Sequence, residues 1–278
     1  MPDEMPYEHV LIDDPAPYVR RVTLNRPEKR NALHAPLRAE ILAALREADG
    51  DPGVRATIVR GAGKSFSAGY DLTPDISPEH KGRSGQGPGK FQRDVVDGWM
   101  GIWDLAKPVI AQVHGHCLAG GSELATGCDL VYVAEDALIG YPAVRFGVPD
   151  MQYHAWLLGM RKAMELVLTG DSMTGVEAVE RGFANRAFPA ASLDEEVLAM
   201  AGRIVQIPPD VLQLNKRTVH RAMEHMGMRS AIRTGTEACA LATHSDGFKE
   251  FMEAAKETGL TKALTRRDGA FGDGRTAG

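Results

Sequence analysis

The order of hydrophobic patterns along the chain constrains its fold more than any other feature. Through the first 190 residues, short apolar segments typical of strands take turns with segments whose apolar residues recur at helical spacing. YVRRVTLN (18–25) and VRATIVRG (54–61) are of the first kind, and PLRAEILAALREADG (36–50) lies between them. After Ala191 only helical patterns remain. This order predicts an α/β core followed by a helical region.

The middle of the chain continues the alternation. Strands are predicted at 107–115, 129–136 and 137–141, and helices at 91–106 and 151–170. Residues 175–189 predict a short helix, a glycine turn and a strand. Between Thr73 and Lys90, glycines and prolines lie among charged residues, which predicts a surface excursion. Such a segment serves either as a flap over a ligand or as a disordered ornament.

Size and composition exclude several classes of protein. The 278 residues suffice for a large core, and 44% hydrophobic and 25% charged residues are globular averages. No apolar run approaches the ~18 residues of a spanning helix, and the acidic start MPDEMPYEHV lacks the order of a signal peptide. A net charge of −5 gives no footprint for nucleic acid. We therefore expect a cytoplasmic protein with neither a membrane nor a nucleic acid as partner.

The spacing of cysteines and histidines indicates neither a disulfide framework nor a metal site. Cys117, Cys128 and Cys239 form no C-x-x-C pair and are odd in number, so we expect buried thiols. His114 and His116 would share a strand face, but no third ligand is spaced to join them. We expect both histidines to pack or to form hydrogen bonds.

The stretch HGHCLAGGSELATGCD (114–129) carries the clearest sign of chemistry. If a helix begins at its paired glycines, the first N–H groups have no partner within the helix and attract a negative oxygen. Glycines let that backbone approach a ligand closely. Gly120 is then a candidate main-chain donor and Glu123 a candidate acid or base. The alternative is that the glycines permit close helix–sheet packing and Glu123 complements the helix dipole.

A second loop, SFSAGYD (65–71), also follows a predicted strand and contains Ala68 and Gly69. An N–H group in this loop would face the one at Gly120 if both strands were parallel and ended on the same side of a sheet. Two N–H groups that converge on one carbonyl oxygen form an oxyanion hole, typically worth about 2.7–4 kcal/mol per donor in the transition state. Taken alone, the loop is explained equally by an ordinary turn.

Four stretches, in order, resemble the enoyl-CoA hydratase/isomerase (crotonase) family: RVTLNRPEKRNAL, KSFSAGYDL, KPVIAQVHGHCLAGGSELATGCDLVYVAEDALIGYP and LVLTGDSMTGVEAVERGFANRAFP. The resemblance covers roughly residues 18 to 255. It implies an α/β crotonase core of repeated ββα units with an acyl-CoA site in residues 1–190. It also implies a helical oligomerisation region in 191–278, which packs the chain as a homotrimer or as a hexamer of two trimers.

The resemblance also implies the roles of particular residues. The family holds a thioester oxygen between two main-chain N–H groups, which map to Tyr70 and Gly120, and a catalytic glutamate maps to Glu123. Coenzyme A is expected as part of the substrate, with no permanently bound cofactor. Its contacts are expected at Arg26, Lys29, Ala68, Asp71 and Leu72. A solvated basic turn is the alternative explanation for the charges of residues 25–30.

The chain departs from the family pattern where its hydratases carry a second glutamate. That glutamate follows a proline, and Ala143 stands after Pro142 here. Syn addition of water is usually described with two carboxylates acting on one water, and alanine transfers no proton. Asp150 is the candidate replacement, with His154 and Tyr141 as further candidates. Capping of the following helix explains Asp150 equally well.

Three functions therefore stay open. The leading hypothesis is an enoyl-CoA hydratase or isomerase with Glu123 as acid or base. The second is a thioester hydrolase or lyase of the same family that uses Asp150 or His154. The third is a non-catalytic acyl-CoA-binding oligomer.

Overall fold

A computed structural model describes residues 7–72, 89–150 and 153–272 of the chain. Its strands are β1 Val10–Ala16, β2 Val19–Leu24, β3 Ala56–Gly61, β4 Val109–Val113, β5 His116–Leu118, β6 Leu130–Ala134, β7 Leu138–Gly140, β8 Ser172–Thr174 and β9 Arg186–Phe188. Its α-helices are α1 Ala35–Gly50, α2 Lys90–Met100, α3 Gly120–Gly127, α4 Tyr153–Thr169, α5 Gly175–Glu180, α6 Leu193–Ile204, α7 Pro209–His225, α8 Met228–Ala242, α9 Asp246–Thr258 and α10 Leu260–Asp268.

The strands form two sheets, and the segments that follow β3 and β4 leave the larger sheet at the same edge. The larger sheet has the order β1-β2-β3-β4-β6-β9, and the smaller has the order β5-β7-β8. β1 is antiparallel to β2, and the other neighbours in the larger sheet are parallel. β4 is followed directly by β5 and α3, which makes one ββα unit. Because β3 and β4 are parallel neighbours, the segments that leave them begin at the same edge of the sheet.

Helix α1 covers one face of the larger sheet with the residues whose spacing predicted it. These residues are all at least 98% buried: Leu37, Ile41, Ala44, Leu45 and Ala48. Full burial of a Leu or Ile side chain stabilises a fold by roughly 1.5–3 kcal/mol. β3 and β4 are buried on both faces, as expected for strands inside a parallel sheet.

The predicted alternation of strands and helices, and the helical region after Ala191, are confirmed. Three strands were missed: the seven-residue β1 and the three-residue β5 and β8. The predicted helical stretch 151–170 contains a sharp change of direction at Gly159, whose φ is 68° and ψ is 161°. Residues 73–88 of the predicted surface excursion lie outside the described residues. The division into a core and an oligomerisation region stays a prediction.

A buried lysine joins the helical region to the core. Lys216 of α7 donates hydrogen bonds of 2.9 Å from Nζ to the carbonyl oxygens of Ile102 and Lys107. The same Nζ lies 2.9 Å from Oδ2 of Asp129, at the start of β6. Because its charge and its donors are all matched, the lysine is accommodated in a buried position and fixes α7 against the core.

The turn between β4 and β5 requires a glycine. Gly115 has φ of 55°, and a Cβ added there would lie 2.0 Å from the carbonyl oxygen of Lys64. This close approach places the segment after β3 directly beside the chain that leads to α3.

We expect Gly115→Ala to lower the free energy of unfolding by about 2 kcal/mol or more, because the methyl group clashes with backbone and strains φ. Gly50→Ala is the matched control, since a Cβ at Gly50 meets nothing within 4 Å; it should change stability by less than about 0.5 kcal/mol or raise it slightly. Urea unfolding measures both. Equal stabilities for the two variants would contradict the close approach at Gly115.

Candidate active site

Main-chain hydrogen bonds hold the two glycine-containing loops side by side. The N–H of Ser67 donates to the carbonyl oxygen of His116 at 2.9 Å, and the N–H of Leu118 donates to the carbonyl oxygen of Ser67 at 3.0 Å. Ser67 and Cys117 form a parallel bridge. The segment after β3 therefore runs beside β5. Tyr70 follows the first of these segments and Gly120 follows the second.

The glycines in these segments make the contact possible. A Cβ added at Gly121 would lie 2.6 Å from the carbonyl oxygen of Ser67, so Gly121 serves the packing of α3. A Cβ added at Gly69 would lie 2.8 Å from the carbonyl oxygen of Leu118 and 3.3 Å from the N atom of Gly120. The backbone just before Tyr70 is thus in contact with the start of α3.

The amides of Tyr70 and Gly120 have no hydrogen-bond acceptor among the residues that the structure describes. On either side of Tyr70, the carbonyl oxygen of Gly69 and the N–H of Asp71 are both bonded to Leu33. Because successive groups of an extended chain alternate in direction, the N–H of Tyr70 points away from Leu33. Gly120 is the first residue of α3, whose initial N–H groups lack partners within the helix.

Ala119, which precedes this helix, has a strained backbone. Its φ is 46° and its ψ is −118°, which is rare for a residue with a Cβ. The conformation is held by a hydrogen bond of 2.9 Å from its N–H to the carbonyl oxygen of Gly140. Its own carbonyl oxygen accepts from Oγ of Ser122 at 2.7 Å. Strain of this kind persists where surrounding contacts fix it, and it concentrates at functional sites.

Glu123 is fully buried in the first turn of α3. The Tyr70 hydroxyl donates a hydrogen bond to its Oε2, and Nε1 of Trp99 donates to the Tyr70 hydroxyl oxygen at 3.1 Å. Within the described part of the chain, Oε1 of Glu123 has no hydrogen-bond partner. One carboxyl oxygen is therefore held by the Tyr70 phenol, and the other is buried without such a contact.

Burial raises the pKa of Glu123 to about 7. The hydrogen bond from Tyr70 opposes this change because it stabilises the carboxylate, and the negative charge of Asp150 adds to it. The nearby Tyr141 hydroxyl and the charge of His154 lower the pKa of Glu123 by smaller amounts. A carboxyl group with a pKa close to neutral pH both accepts and returns a proton readily, as general acid–base catalysis requires.

Asp150 and His154 form a buried pair near this carboxyl group. Oδ1 of Asp150 lies 2.9 Å from Nδ1 of His154, and the N–H of His154 lies 3.4 Å from Oδ2. Burial by itself lowers the pKa of His154, but the charge and hydrogen bond of Asp150 outweigh it and the net shift is upward. In the described residues, Nε2 of His154 is buried without a partner. Asp150 therefore contacts the start of α4 and also orients an imidazole.

Ala143 is buried in the 3-10 helix Pro142–Phe146. It belongs to a hydrophobic cluster with Tyr141 and Phe146, against which Leu72 and Ala119 also pack. The alanine therefore places only a methyl group where a carboxyl group was expected from the family pattern.

The predicted coenzyme contacts are close together in the structure. Nη1 of Arg26 lies 3.0 Å from Oδ2 of Asp71, and both side chains are buried. The N–H of Ala68 donates to the carbonyl oxygen of Arg30 at 2.9 Å, which holds the 26–31 turn against the 65–72 loop. Lys29 is exposed, and Leu72 is half-buried.

Two cavities differ in whether a candidate residue lines them. One of about 670 Å³ lies between α7 and α8, and none of the candidate residues lines it. The other, of about 390 Å³, is mainly apolar and runs along α4, where Met160, Met164 and Val167 line it. Asp150 lies on the wall of this second cavity. Glu123, Tyr70 and Gly120 line neither of these two cavities.

Sequence patterns missed two aspects of the site. Trp99 was predicted only as part of a helix, and Tyr70 was assigned only a main-chain role. A buried indole N–H or phenol needs a hydrogen-bond partner, which signals a polar contact but does not identify it. The predictions for the cysteines and histidines are confirmed: the three thiols are free and buried. Nδ1 of His116 lies 3.2 Å from Oγ of Ser65, and Nε2 of His114 lies 3.0 Å from the carbonyl oxygen of Gly63.

Comparison with known proteins agrees with this arrangement. The family model for enoyl-CoA hydratase/isomerase matches residues 17–264. A probable enoyl-CoA hydratase of Mycobacterium bovis is 34% identical over 90% of this chain and 96% of its own length. The crystal structure of an enoyl-CoA hydratase/isomerase from Xanthobacter autotrophicus Py2 has a TM-score of 0.86 and 36% identity, and covers 95% of this chain and 99% of its own. An enoyl-CoA hydratase structure from Mycobacterium smegmatis has a TM-score of 0.87 and 32% identity, with 96% and 95% coverage.

The fold and these relatives define an enzyme of the acyl-CoA class with a crotonase fold. The chain belongs to the enoyl-CoA hydratase/isomerase family. The family and fold expected from the sequence motifs are thus confirmed.

Two further observations concern membranes and metals. Every helix within residues 7–72, 89–150 and 153–272 is too short or too polar to cross a bilayer. The same residues contain no cluster of three His, Cys, Asp or Glu side chains arranged to hold a metal ion.

The raised pKa of Glu123 has a consequence for stability. The folded protein keeps the Glu123 proton up to about pH 7, whereas the unfolded chain loses it near the ordinary value of 4.5. Unfolding between these values releases a proton, so stability falls as pH rises from about 4.5 to 7. Glu123→Gln removes this ionisation. We expect the stability of the variant relative to wild type to increase between pH 5 and pH 8 by on the order of 3 kcal/mol.

Urea unfolding at several pH values measures this difference. The exposed Glu257→Gln is the matched control, because it leaves the buried carboxyl group in place and should retain the pH dependence of the wild type. A Glu123→Gln curve parallel to the wild-type curve would show that the buried carboxyl group does not titrate near neutral pH.

Proposed function

We propose that the protein adds water to the double bond of an enoyl-CoA by way of a thioester enolate, with Glu123 as the catalytic acid or base. The observation that carries this proposal is a buried carboxyl group with a pKa of about 7 and one free oxygen, next to two unpartnered main-chain amides. An acid–base group of this kind is suited to proton transfer at neutral pH. The relatives named as hydratases support hydration as the leading reaction.

The proposed oxyanion hole consists of the N–H groups of Tyr70 and Gly120. Both amides are available, and the chains that carry them touch at Gly69. The thioester oxygen would accept a hydrogen bond from each amide. In hydration, the carboxylate takes a proton from water, oxygen adds to the β carbon, and the electron pair moves to the thioester oxygen. A proton delivered to the α carbon then completes the reaction, and the two amides stabilise the enolate between these steps.

The second proton transfer in hydration is assigned to Asp150, acting with His154. Support comes from the effect of the Asp150 charge, which raises the pKa of Glu123. This effect requires that the two carboxyl groups lie within electrostatic reach of one another. The unpartnered Nε2 of His154 gives this pair a further group for proton transfer.

Isomerisation is the second candidate, and Ala143 favours it. A single carboxylate suffices to remove a proton from the α carbon of a 3-enoyl thioester and return it to the γ carbon, and this moves the double bond to the 2-position. No second acid is needed, so the methyl group at position 143 does not interfere. The same amides would stabilise the dienolate.

Coenzyme A is proposed to run along the contact between the 26–31 turn and the 68–72 loop. The exposed ammonium of Lys29 is placed to meet a phosphate, while Ala68 and Leu72 would contact the adenine or pantetheine. Arg26 and Asp71 neutralise one another in a buried pair. We propose that this pair shapes the loop for the coenzyme and does not itself neutralise a phosphate.

Assembly as a homotrimer or a hexamer through residues 191–278 remains a proposal. Exposed apolar side chains on α7 support it, because Leu214 and Val219 are 64% and 63% exposed in the single chain. The cytoplasmic location expected from the sequence stays a prediction.

We expect Glu123→Gln to lower turnover of enoyl-CoA substrates by about 10²- to 10⁴-fold, because the amide keeps the shape but transfers no proton. Glu257→Gln, far from the site in sequence and exposed, should retain wild-type turnover. Undiminished turnover by Glu123→Gln would remove Glu123 from the mechanism. Tight acyl-CoA binding by wild type with no turnover would instead indicate a non-catalytic binder.

We expect Asp150→Asn to separate the two candidate reactions. The amide oxygen retains a hydrogen-bond acceptor for His154, but the carboxyl group is lost, so hydration of a 2-enoyl-CoA should fall at least about tenfold. At a pH well above the pKa of Glu123, where this carboxyl group is ionised in both proteins, isomerisation of a 3-enoyl-CoA should change by less than about twofold, since it requires Glu123 alone. Product analysis identifies a 3-hydroxyacyl thioester or a shifted double bond, and release of free coenzyme A would indicate a hydrolase. Unchanged hydration in Asp150→Asn would remove Asp150 from the reaction.

A further inference from the structure

We infer that the side chain of Tyr70 is a positioning residue, which holds the Glu123 carboxyl group through a hydrogen-bond chain that begins at Trp99. This inference deepens the proposed function and rests on it. Tyr70 then contributes twice to one site, through its amide to the thioester oxygen and through its phenol to the acid–base residue.

The chain of hydrogen bonds joins three separate parts of the fold. Trp99 belongs to α2, Tyr70 to the loop after β3, and Glu123 to α3. The indole N–H donates to the phenol oxygen at 3.1 Å, and the phenol O–H donates to Oε2 of the carboxyl group. Because the indole nitrogen has only a hydrogen to offer, the direction of both bonds is fixed. Oε2 of Glu123 therefore accepts the hydrogen bond from the Tyr70 hydroxyl group.

The aromatic ring of Tyr70 is itself held from several sides. Phe91 of α2 meets it edge to face, with ring centroids 5.4 Å apart. The guanidinium carbon of Arg38, from α1, lies 5.8 Å from the ring centroid. A Cβ added at Gly120 would lie 2.7 Å from two ring carbons, so the ring lies directly on the start of α3. The ring therefore has little freedom to turn its hydroxyl group away from Glu123.

This arrangement has a mechanistic result. The hydrogen bond fixes Oε2, and the unpartnered Oε1 is left in one orientation for proton transfer. The bond also stabilises the carboxylate, so the pKa of Glu123 is lower than burial alone would make it. The other ionisable groups that act on Glu123, or on which Glu123 acts, are Tyr141, Asp150, Tyr153, His154 and Cys239. Of these, Asp150 raises the pKa of Glu123, whereas Tyr141 and His154 lower it.

Tyr70→Phe tests the inference because it keeps the ring and the amide and removes only the hydroxyl group. Infrared titration of the substrate-free protein follows the protonated-carboxyl band that Glu123→Gln lacks. We expect Tyr70→Phe to raise the pKa obtained from this band by about one to two units. The limb of the kcat profile near pH 7 should move upward equally. At pH 7, kcat should fall about tenfold while KM changes less than about twofold, since the lost contact acts on the base.

Tyr153→Phe is the matched control. Its hydroxyl group is buried and close enough for Glu123 to act on it, but within the described residues it has no hydrogen-bond partner. Its removal should leave the Glu123 band and the kcat profile unchanged. Trp99→Phe is a second variant should Tyr70→Phe fail to fold. Loss of the indole N–H makes the Tyr70 phenol a weaker donor, so Trp99→Phe should also raise the pKa of Glu123, by a smaller amount.

The outcomes separate this inference from the proposed reaction. An upward shift of the pKa obtained from the infrared band in Tyr70→Phe supports the positioning role, even if the protein turns over no enoyl-CoA. Absence of turnover would overturn only the proposed reaction. An unchanged band in both Tyr70→Phe and Trp99→Phe overturns the positioning role, whatever the activity. A shift of equal size in Tyr153→Phe also overturns it, because the effect would then come from the loss of any nearby phenol.

Discussion

The pairing of the segment after β3 with β5 is the contact on which the rest of the site depends. Through the hydrogen bonds of Ser67 with His116 and Leu118, two loops far apart in sequence become neighbours. That pairing is made possible by a parallel β3–β4 pair and by the absence of a side chain at Gly115. The amides, the Tyr70 ring and the start of α3 then occupy one small volume.

Within that volume, burial and hydrogen bonding act on Glu123 in opposite directions. Removal of water disfavours the carboxylate, and the phenol of Tyr70 partly restores it. Together with smaller contributions from Asp150, Tyr141 and His154, the two effects leave the pKa of Glu123 at about 7. The balance explains why an apolar environment that supports the fold also supports proton transfer.

Local sequence features predicted the framework of the molecule better than its contacts. The helical spacing of Leu37, Ile41 and Leu45 predicted α1, because a buried helix face repeats with the period of the helix. β5 and β8 were missed because each has three residues, too few for a period to be recognised. Motif resemblance singled out Glu123 and Gly120 as candidate residues, and their roles stay predictions. The bond between Tyr70 and Glu123 was not predictable, since 53 positions separate the two residues and only the folded chain decides which acceptor a phenol reaches.

The strained backbone at Ala119 sets the stability of the fold against the activity of the site. A positive φ with a ψ of −118° in a residue with a Cβ costs on the order of 1–3 kcal/mol, and glycine would relieve much of this strain. Glycine would also let the first amide of α3 sample other directions. A lineage selected for heat resistance and one selected for fast catalysis would therefore favour different residues at this position.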